Sequence, residues 1–386
     1  MSPNIVIVGA GFVGVRSAKL LRQRLGPSAR ITLVDDKDHF LFTPRLIDAL
    51  SGNPSPFARA SLITLSKKHR FIFLQGHVTS IDRQQKMVHL DNQKPSLSYD
   101  FLVLSHGAQT RYFHIPGAES YSFPLKTIHH VERIHAQIDN LLEKAAATSD
   151  AAIRRHLLNF VVVGGGLTGI ESVFALQQYI QHHLCQNTAW SSLASNVSLS
   201  VIQGTPQILP GFSQKIVLAT LRALKKANID LHVSELITQV DETQITTATG
   251  QVIPTHFVLW CGGLEPRPLS FTPAIHHDPA GFMTTDAFLR VCNTIFAAGD
   301  AISYRDQNVT IPKNAQTAFL MADAISQNIV RTIQQKPLKS FHYTSKGNLI
   351  LLGQTGVCDL KSFVIQSRFV RFLRDRVYRH RYHQIT

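Results

Sequence analysis

The residues best equipped for chemistry in this chain are two glycine clusters. Gly9-Ala-Gly-Phe-Val-Gly14 and Gly164-Gly-Gly-Leu-Thr-Gly169 share the spacing G-x-G-x-x-G. In that pattern the first glycine makes a tight turn, the second lets backbone approach a pyrophosphate, and the third lets a helix pack close to a strand. The N–H groups that open the helix, together with the positive end of its dipole, then receive the phosphates. Each cluster follows an apolar run, residues 5–8 or 160–163, and precedes apolar residues at helical spacing, 12–21 or 167–176. Two dinucleotides are therefore expected, one on Gly9, Gly11 and Gly14 and one on Gly164, Gly166 and Gly169.

The residues that would read the riboses differ. The strand Arg30-Ile-Thr-Leu-Val34 ends at Asp35, about 20 residues past the first turn, where an acid hydrogen-bonds a ribose hydroxyl. The strand at 197–202 ends instead at Gln203, and a loop over 181–196 is expected to account for its longer spacing. An amide can bond a 2′-hydroxyl, but unlike a carboxylate it does not repel a 2′-phosphate. Discrimination between NADH and NADPH is thus expected to be weaker than with an acid.

These sites need a frame of parallel strands and helices, and 386 residues with 44% hydrophobic content can build two to three domains. No run of ~18 uninterrupted apolar residues is present, which argues against a membrane-spanning helix. The first residues lack a secretory pattern, so exposure to the cytoplasm is expected. Four separated cysteines, Cys185, Cys261, Cys292 and Cys358, contain no C-x-x-C and are expected to be buried small hydrophobes. Nineteen histidines are scattered without metal-ligand spacing, so no metal is expected.

The net charge is +14, and arginines cluster in the last residues. On a helical wheel Ile365, Phe369, Phe372, Leu373 and Val377 share one side, while Arg368, Arg371 and Arg374 fall opposite; Arg376, Arg379 and Arg381 follow. A basic amphipathic helix of this kind suits an anionic membrane surface. The alternative is a helix docked on the protein's own core with its arginines solvated. No nucleic-acid reading motif is recognisable, so no specific nucleic acid is expected.

Residues 72–90 alternate apolar and polar groups, which suggests antiparallel strands inserted in the first unit. Further apolar runs end in glycines at Gly107, at Gly262 and Gly263, and at Gly299 followed by Asp300, and residues 125–156 have helical spacing. The expected fold is α/β, with two Rossmann-like dinucleotide-binding domains, the second inserted in the first. The boundaries read as 1–115 and 286–335 for one domain, 116–285 for the other, and 336–386 for a C-terminal region with the basic amphipathic helix.

Together these motifs resemble the two-dinucleotide flavoproteins, most closely the type II NADH:quinone oxidoreductases. The resemblance implies FAD on Gly9, Gly11, Gly14 and Asp35, with Asp300 of the Thr-x(5)-Gly-Asp motif toward the ribityl chain. Thr43 and Pro44 of Phe-Thr-Pro, with Val78, Gly107, Gly299 and Ala315, would complete that site. Gly164 to Glu171 matches Gly-Gly-Gly-x-Thr-Gly-x-Glu, which implies NADH or NADPH as co-substrate on this turn, with Gln203, Gly262 and Gly263. Glu171 would then lie near nicotinamide and flavin, and Lys346 of the pair Lys346-Gly347 would approach it. His39, His106 and His114 fall near the flavin loops as solvated or structural residues.

The implied activity is hydride transfer from NAD(P)H to a flavin and two-electron, two-proton reduction of a quinone, without proton pumping. The protein would be peripheral, on the cytoplasmic side of a membrane, with a homodimer open. One departure concerns the quinone segment, Ala-Gln-x-Ala-x-Gln in the family and Ala315-Gln316-Thr-Ala-Phe-Leu320 here. It leaves Gln316, with Glu171 and Lys346, as the candidate catalytic set. Competing readings are a sulfide:quinone oxidoreductase, which needs a reactive cysteine pair, a soluble NAD(P)H-dependent flavoprotein reductase, and a binding flavoprotein resembling apoptosis-inducing factor.

Overall fold

A computed structural model describes residues 2–386 except 92, 93, 189, 308, 346 and 360–363. The β-branched, apolar runs at 5–8 and 160–163 become the central strands of two separate parallel sheets. Buried on both faces, such strands need no polar alternation. Ile5, Ile7, Phe160 and Val162 are fully buried.

The first sheet has the order Arg290–Cys292, Ile295–Ala297, Phe101–Leu104, Asn4–Val8, Arg30–Asp35, Ile72–Gln75, and only its Arg290–Cys292 edge is antiparallel. The second is parallel throughout, in the order Phe123–Pro124, Phe257–Trp260, Asn159–Val163, Ser198–Gln203, Ile229–Val233. In both, the strand before the glycine turn lies between its sequence successor and a later strand. That reversal opens a crevice beyond the strand ends, where α/β sheets bind ligands.

The strand Ile295–Ala297 returns to the first sheet after the second has been completed, so the second unit is inserted in the first. The chain already rejoins the first unit at Ser270–Thr272, which pairs with Val78–Asp82, ahead of residue 286. Ala108–Thr110 and Leu264–Pro266 pair as the two antiparallel crossings between the units.

Three local expectations are corrected. Of the strands within 72–90, Ile72–Gln75 runs parallel beside Arg30–Asp35, and only Val78–Asp82 and Met87–Leu90 form an antiparallel pair. The expected loop at 181–196 is largely helical: the helix opened by the second turn runs from Leu167 to Gln186, and Ser191–Asn196 forms a short 3₁₀ helix. Cys185, near the end of that helix, is exposed rather than buried; all four cysteines are free thiols.

The C-terminal region forms an antiparallel sheet of Asn348–Leu352, Thr355–Asp359 and Val364–Ser367, followed by the helix Arg368–Ile385. Ile365 therefore belongs to a strand and not to the helix. The helix packs inward through Val370, Arg374 and Ile385, while Phe369, Phe372 and Val377 face outward at 64%, 55% and 43% exposure. Arg374, which the helical wheel places with Arg368 and Arg371 opposite the apolar side, is not at the surface but 2% exposed. Among the described residues no helix is long and apolar enough to cross a membrane.

Candidate functional site

The two turns are built alike to a few tenths of an ångström. Gly9 has φ +97° and Gly164 φ +105°, a left-handed region in which only glycine is unstrained. A Cβ on Gly9 would lie 2.3 Å from the Ser105 carbonyl oxygen, and one on Gly164 would lie 2.4 Å from that of Cys261. The third glycines are held as closely: a Cβ on Gly14 or Gly169 would stand 1.8 Å from the carbonyl oxygen of Gly9 or Gly164.

The middle glycines are different. Around Gly11 and Gly166 a Cβ would meet nothing within 4 Å, so no neighbouring atom demands glycine there. Each is the N-cap of its helix, and neither supplies a side-chain cap. The first-turn N–H groups are left for a ligand. A pyrophosphate held against backbone accounts for glycine at both positions.

The ribose-reading residues also correspond. Asp35 Oδ2 accepts the N–H of Ala10 at 2.5 Å, and Gln203 Oε1 accepts that of Gly165 at 2.7 Å. Ala10 and Gly165 hold the same place in their turns, so the Gln203 amide stands where the first unit has a carboxylate. Burial raises the Asp35 carboxyl above the usual range, opposed by the Ala10 N–H. The Gln203 Nε2 donates to Thr205 Oγ1 at 2.5 Å, which fixes the orientation of the amide.

Around the first turn, burial, with Arg267 nearby, pushes the His106 imidazole down to about 4. It is therefore neutral near pH 7, and its Nδ1 is buried without a hydrogen-bond partner. Gly107 follows with φ +75° and open space at its Cβ position. Gly299 abuts the first helix, with a Cβ position 3.1 Å from Val13 Cγ2, and Asp300 follows in the turn Gly299–Ala301. Lys313 Nζ donates to the Asp300 carbonyl at 2.9 Å, and burial pushes its ammonium down to about 8. A cleft lined by Gly299, Asp300, Ile311, Lys313, Thr317 and Met321 adjoins these groups. The bare cradle, the acid on Ala10 and the orphaned His106 nitrogen fit FAD.

Lys126, which sequence reasoning missed, joins the two halves. Burial lowers its ammonium pKa, opposed by the charge of Asp300 in the first unit and by Cys261 beside the second turn. Gly262 and Gly263 follow Cys261; a Cβ on Gly262 would lie 3.0 Å from Trp260 Nε1, and Gly263 has φ +141°.

Glu171, one turn into the second helix, is buried and accepts the Leu351 N–H at 2.8 Å. Burial pushes its carboxyl above the usual range, against the opposing charge of Arg374 and the Leu351 N–H. Thr43 and Pro44 lie in a 3₁₀ turn behind the buried Phe42, and the Pro44 carbonyl accepts from Arg374 at 3.0 Å. Gln316, near the start of the helix Ala315–Ile333, reaches the Thr344 carbonyl at 3.5 Å. Leu320, where the resemblance has a second glutamine, packs into the first core.

Other candidates hold local partners or loop positions. Val78 is buried and pairs with Leu90 in a small sheet. His39 pairs with Asp38 at 2.8 Å, and His114 sits in a loop at φ +55°. Lys346 lies outside the described residues. Arg45 and Asp48, which sequence reasoning missed, form a buried cluster with Arg374. A lone acid in the apolar segment Leu46–Leu50 was the available signal for Asp48, whereas a helical wheel does not distinguish Arg374 from its neighbours.

Two similar nucleotide cradles, each following a strand of its own parallel sheet, define a reductase-type fold with two dinucleotide-binding domains. The chain belongs to the pyridine nucleotide-disulphide oxidoreductase family, whose model matches residues 3–322. It is 25% identical to the type II NADH:quinone oxidoreductase of Haemophilus influenzae, covering 99% of this chain and 94% of that protein. It is 29% identical to the demethylphylloquinone reductase NdbB of Synechocystis sp., covering 92% and 85%. The solved structure of NDH2 from Plasmodium falciparum in complex with NADH superposes with TM-score 0.88 at 21% identity, covering 100% of this chain and 97% of that one.

Proposed function

We propose that this protein carries FAD, oxidises NADH or NADPH, and passes two electrons to a quinone at a membrane surface. The observation that carries this reading is the matched pair of cradles with unequal ribose partners. Gly9–Gly14 with Asp35, His106 and Asp300 is enclosed on several sides and suits a resident FAD. Gly164–Gly169 with Gln203 suits a nucleotide that exchanges. The names of the relatives supply the acceptor class.

Bound in the first cradle, FAD supplies the two-electron chemistry between nicotinamide and quinone. The chain's own residues do the rest. The helix N-termini would hold both pyrophosphates, and Lys126 lies within electrostatic reach of Asp300 in one unit and Cys261 in the other. Glu171 is a buried carboxyl whose pKa is pushed above the ordinary range by burial, and the proton that a quinone oxygen takes up is assigned to it. Gln316 supplies the amide for a quinone carbonyl, a task that falls to it because Leu320 is apolar.

Steady-state kinetics test this. NADH oxidation is expected to require a soluble quinone analogue, with NADPH also accepted. Gln203→Glu is expected to raise the NADH-over-NADPH ratio of kcat/KM by about fivefold or more, since one added charge repulsion at close range is worth about 1 kcal/mol even at the dielectric of bulk water. Oxidation independent of quinone would reject the acceptor, and an unchanged ratio would reject the role of Gln203.

The outward face of the C-terminal helix is proposed to rest on an anionic bilayer. Phe369, Phe372 and Val377 would enter the interface while the exposed Arg368, Arg376 and Arg379 meet headgroups. Sedimentation with phosphatidylglycerol vesicles is expected for the wild type and largely lost in Phe369→Ser/Phe372→Ser. Equal sedimentation of the two proteins would refute the assignment of that face.

A further inference from the structure

An exposed aromatic ring stands beside the second cradle. Phe113 is 45% exposed, in the segment that follows the crossing strand Ala108–Thr110. Its backbone is as unusual as its exposure: Phe113 and His114 both have φ +55°, in the left-handed region that favours glycine. A phenyl ring left in water and two consecutive strained residues both work against folding. Strain of this kind clusters where a side chain is aimed at a ligand.

A chain of short contacts joins this ring to the cradle. The Gly262 nitrogen lies 3.1 Å from the Cβ position of Gly164, the first glycine of the second turn. Gly263 follows, and its own Cβ position is 3.7 Å from Phe113 Cζ. The segment is pinned there by two hydrogen bonds: the Arg111 N–H donates to the Gly263 carbonyl at 3.1 Å, and Trp260 Nε1 donates to the Arg111 carbonyl at 2.8 Å. The Arg111 guanidinium covers one side of the phenyl ring, 4.4 Å from its centroid.

The sheet order says which half of a nucleotide would reach it. Asn159–Val163, which leads into the turn, lies between Ser198–Gln203 on one side and Phe257–Trp260 on the other. Gln203 marks the adenosine side, so a pyrophosphate seated on the turn sends the other half of the dinucleotide past Trp260, toward Gly262, Gly263 and Phe113. The strand Leu264–Pro266, which crosses back to the first unit, begins at the next residue. We propose that Phe113 is a platform for the nicotinamide half of the exchanging nucleotide: the ring side that Arg111 leaves open packs against the nicotinamide, and Arg111 steadies the phenyl group from behind. The exposed ring and the left-handed backbone then have one common cause. This rests on the reading that the second cradle takes NADH or NADPH.

The experiment follows flavin reduction in the full-length holoprotein mixed with NADH or NADPH at a series of concentrations, with ADP-ribose as a competitor that lacks the nicotinamide. In Phe113→Ala the apparent Kd for the reducing nucleotide is expected to rise about fivefold to tenfold, the scale of one lost ring stack. Inhibition by ADP-ribose, flavin content and thermal unfolding are expected to stay at their wild-type values. Phe113→Tyr keeps the ring and is expected to restore the wild-type Kd. An unchanged Kd in Phe113→Ala overturns the proposal, and so does an equal weakening of ADP-ribose, which would put the ring on the adenosine half. A wild-type flavin that neither nucleotide reduces refutes the reading of the second cradle and the platform with it. Wild-type reduction matched by Phe113→Ala refutes the platform alone.

Discussion

Gly11→Ala is expected to yield a folded protein that has lost most of its flavin, whereas Gly14→Ala is expected to lose the fold. The two glycines lie three residues apart in one turn, and their surroundings decide the difference. At Gly14 the added Cβ would stand 1.8 Å from the Gly9 carbonyl oxygen, a backbone atom that cannot rotate away. Helix and strand must separate, and the loss is expected to exceed roughly 4 kcal/mol out of a total of about 5–15. At Gly11 the backbone has φ −74°, open to any residue, and the Cβ meets nothing within 4 Å. Stability should then change by no more than about 0.5 kcal/mol.

What the Gly11 methyl group would take is the space for the pyrophosphate. One backbone-to-phosphate hydrogen bond is worth about 1.5–3 kcal/mol, so flavin affinity is expected to fall about 10- to 100-fold. Flavin content per protein after purification, set beside thermal unfolding, separates the two variants. Gly166→Ala is expected to behave as Gly11→Ala does at the other site, raising the KM for NADH with flavin content unchanged. A Gly11→Ala protein carrying its full flavin would show that the cradle is not where the cofactor lies.

Asp48→Ala is expected to cost about 3–5 kcal/mol and to release the C-terminal helix, because it leaves the buried Arg374 with no carboxylate, only the Pro44 carbonyl, and leaves Arg45 with Asp375 alone. The side chains of Arg45 and Arg374 are only 4% and 2% exposed, and that of Asp48 is 11% exposed. The contrast is with Arg290 and Asp286, a pair of similar length whose side chains are 26% and 37% exposed. Water already serves that pair, and its loss is expected to change stability by about 0–1 kcal/mol. Denaturant unfolding gives the energy, and limited trypsin digestion reports the helix, whose arginines from Arg368 to Arg381 become cleavable once it lifts. Wild-type unfolding and wild-type resistance to trypsin in Asp48→Ala would mean that the cluster does not seat the helix.

The parts legible in the sequence are those in which a short stretch of chain makes its own geometry. The strand, turn and helix around Gly9 occupy about two dozen residues, and the G-x-G-x-x-G spacing has one physical solution in that frame. The same is true around Gly164. Asp35 and Gln203 were legible because each ends the strand beside its turn. The Ile72–Gln75 strand was legible as a strand but not in its pairing, since alternation marks a strand without naming its neighbour. The helix through Gln186 was read as a loop because its polar stretch Gln181-His-His hid the helical period.

The C-terminal helix marks the boundary between the two kinds of information. By itself the sequence determined that residues 368–385 have two unlike faces, one apolar and one rich in arginine. Which face turns inward was decided only by the tertiary structure, and it is the face carrying Arg374. Burying a guanidinium is unfavourable unless a carboxylate meets it, and the carboxylate that does so is Asp48, 326 residues earlier in the chain. No local pattern can report a partner at that distance, because the fold itself brings the two charges together.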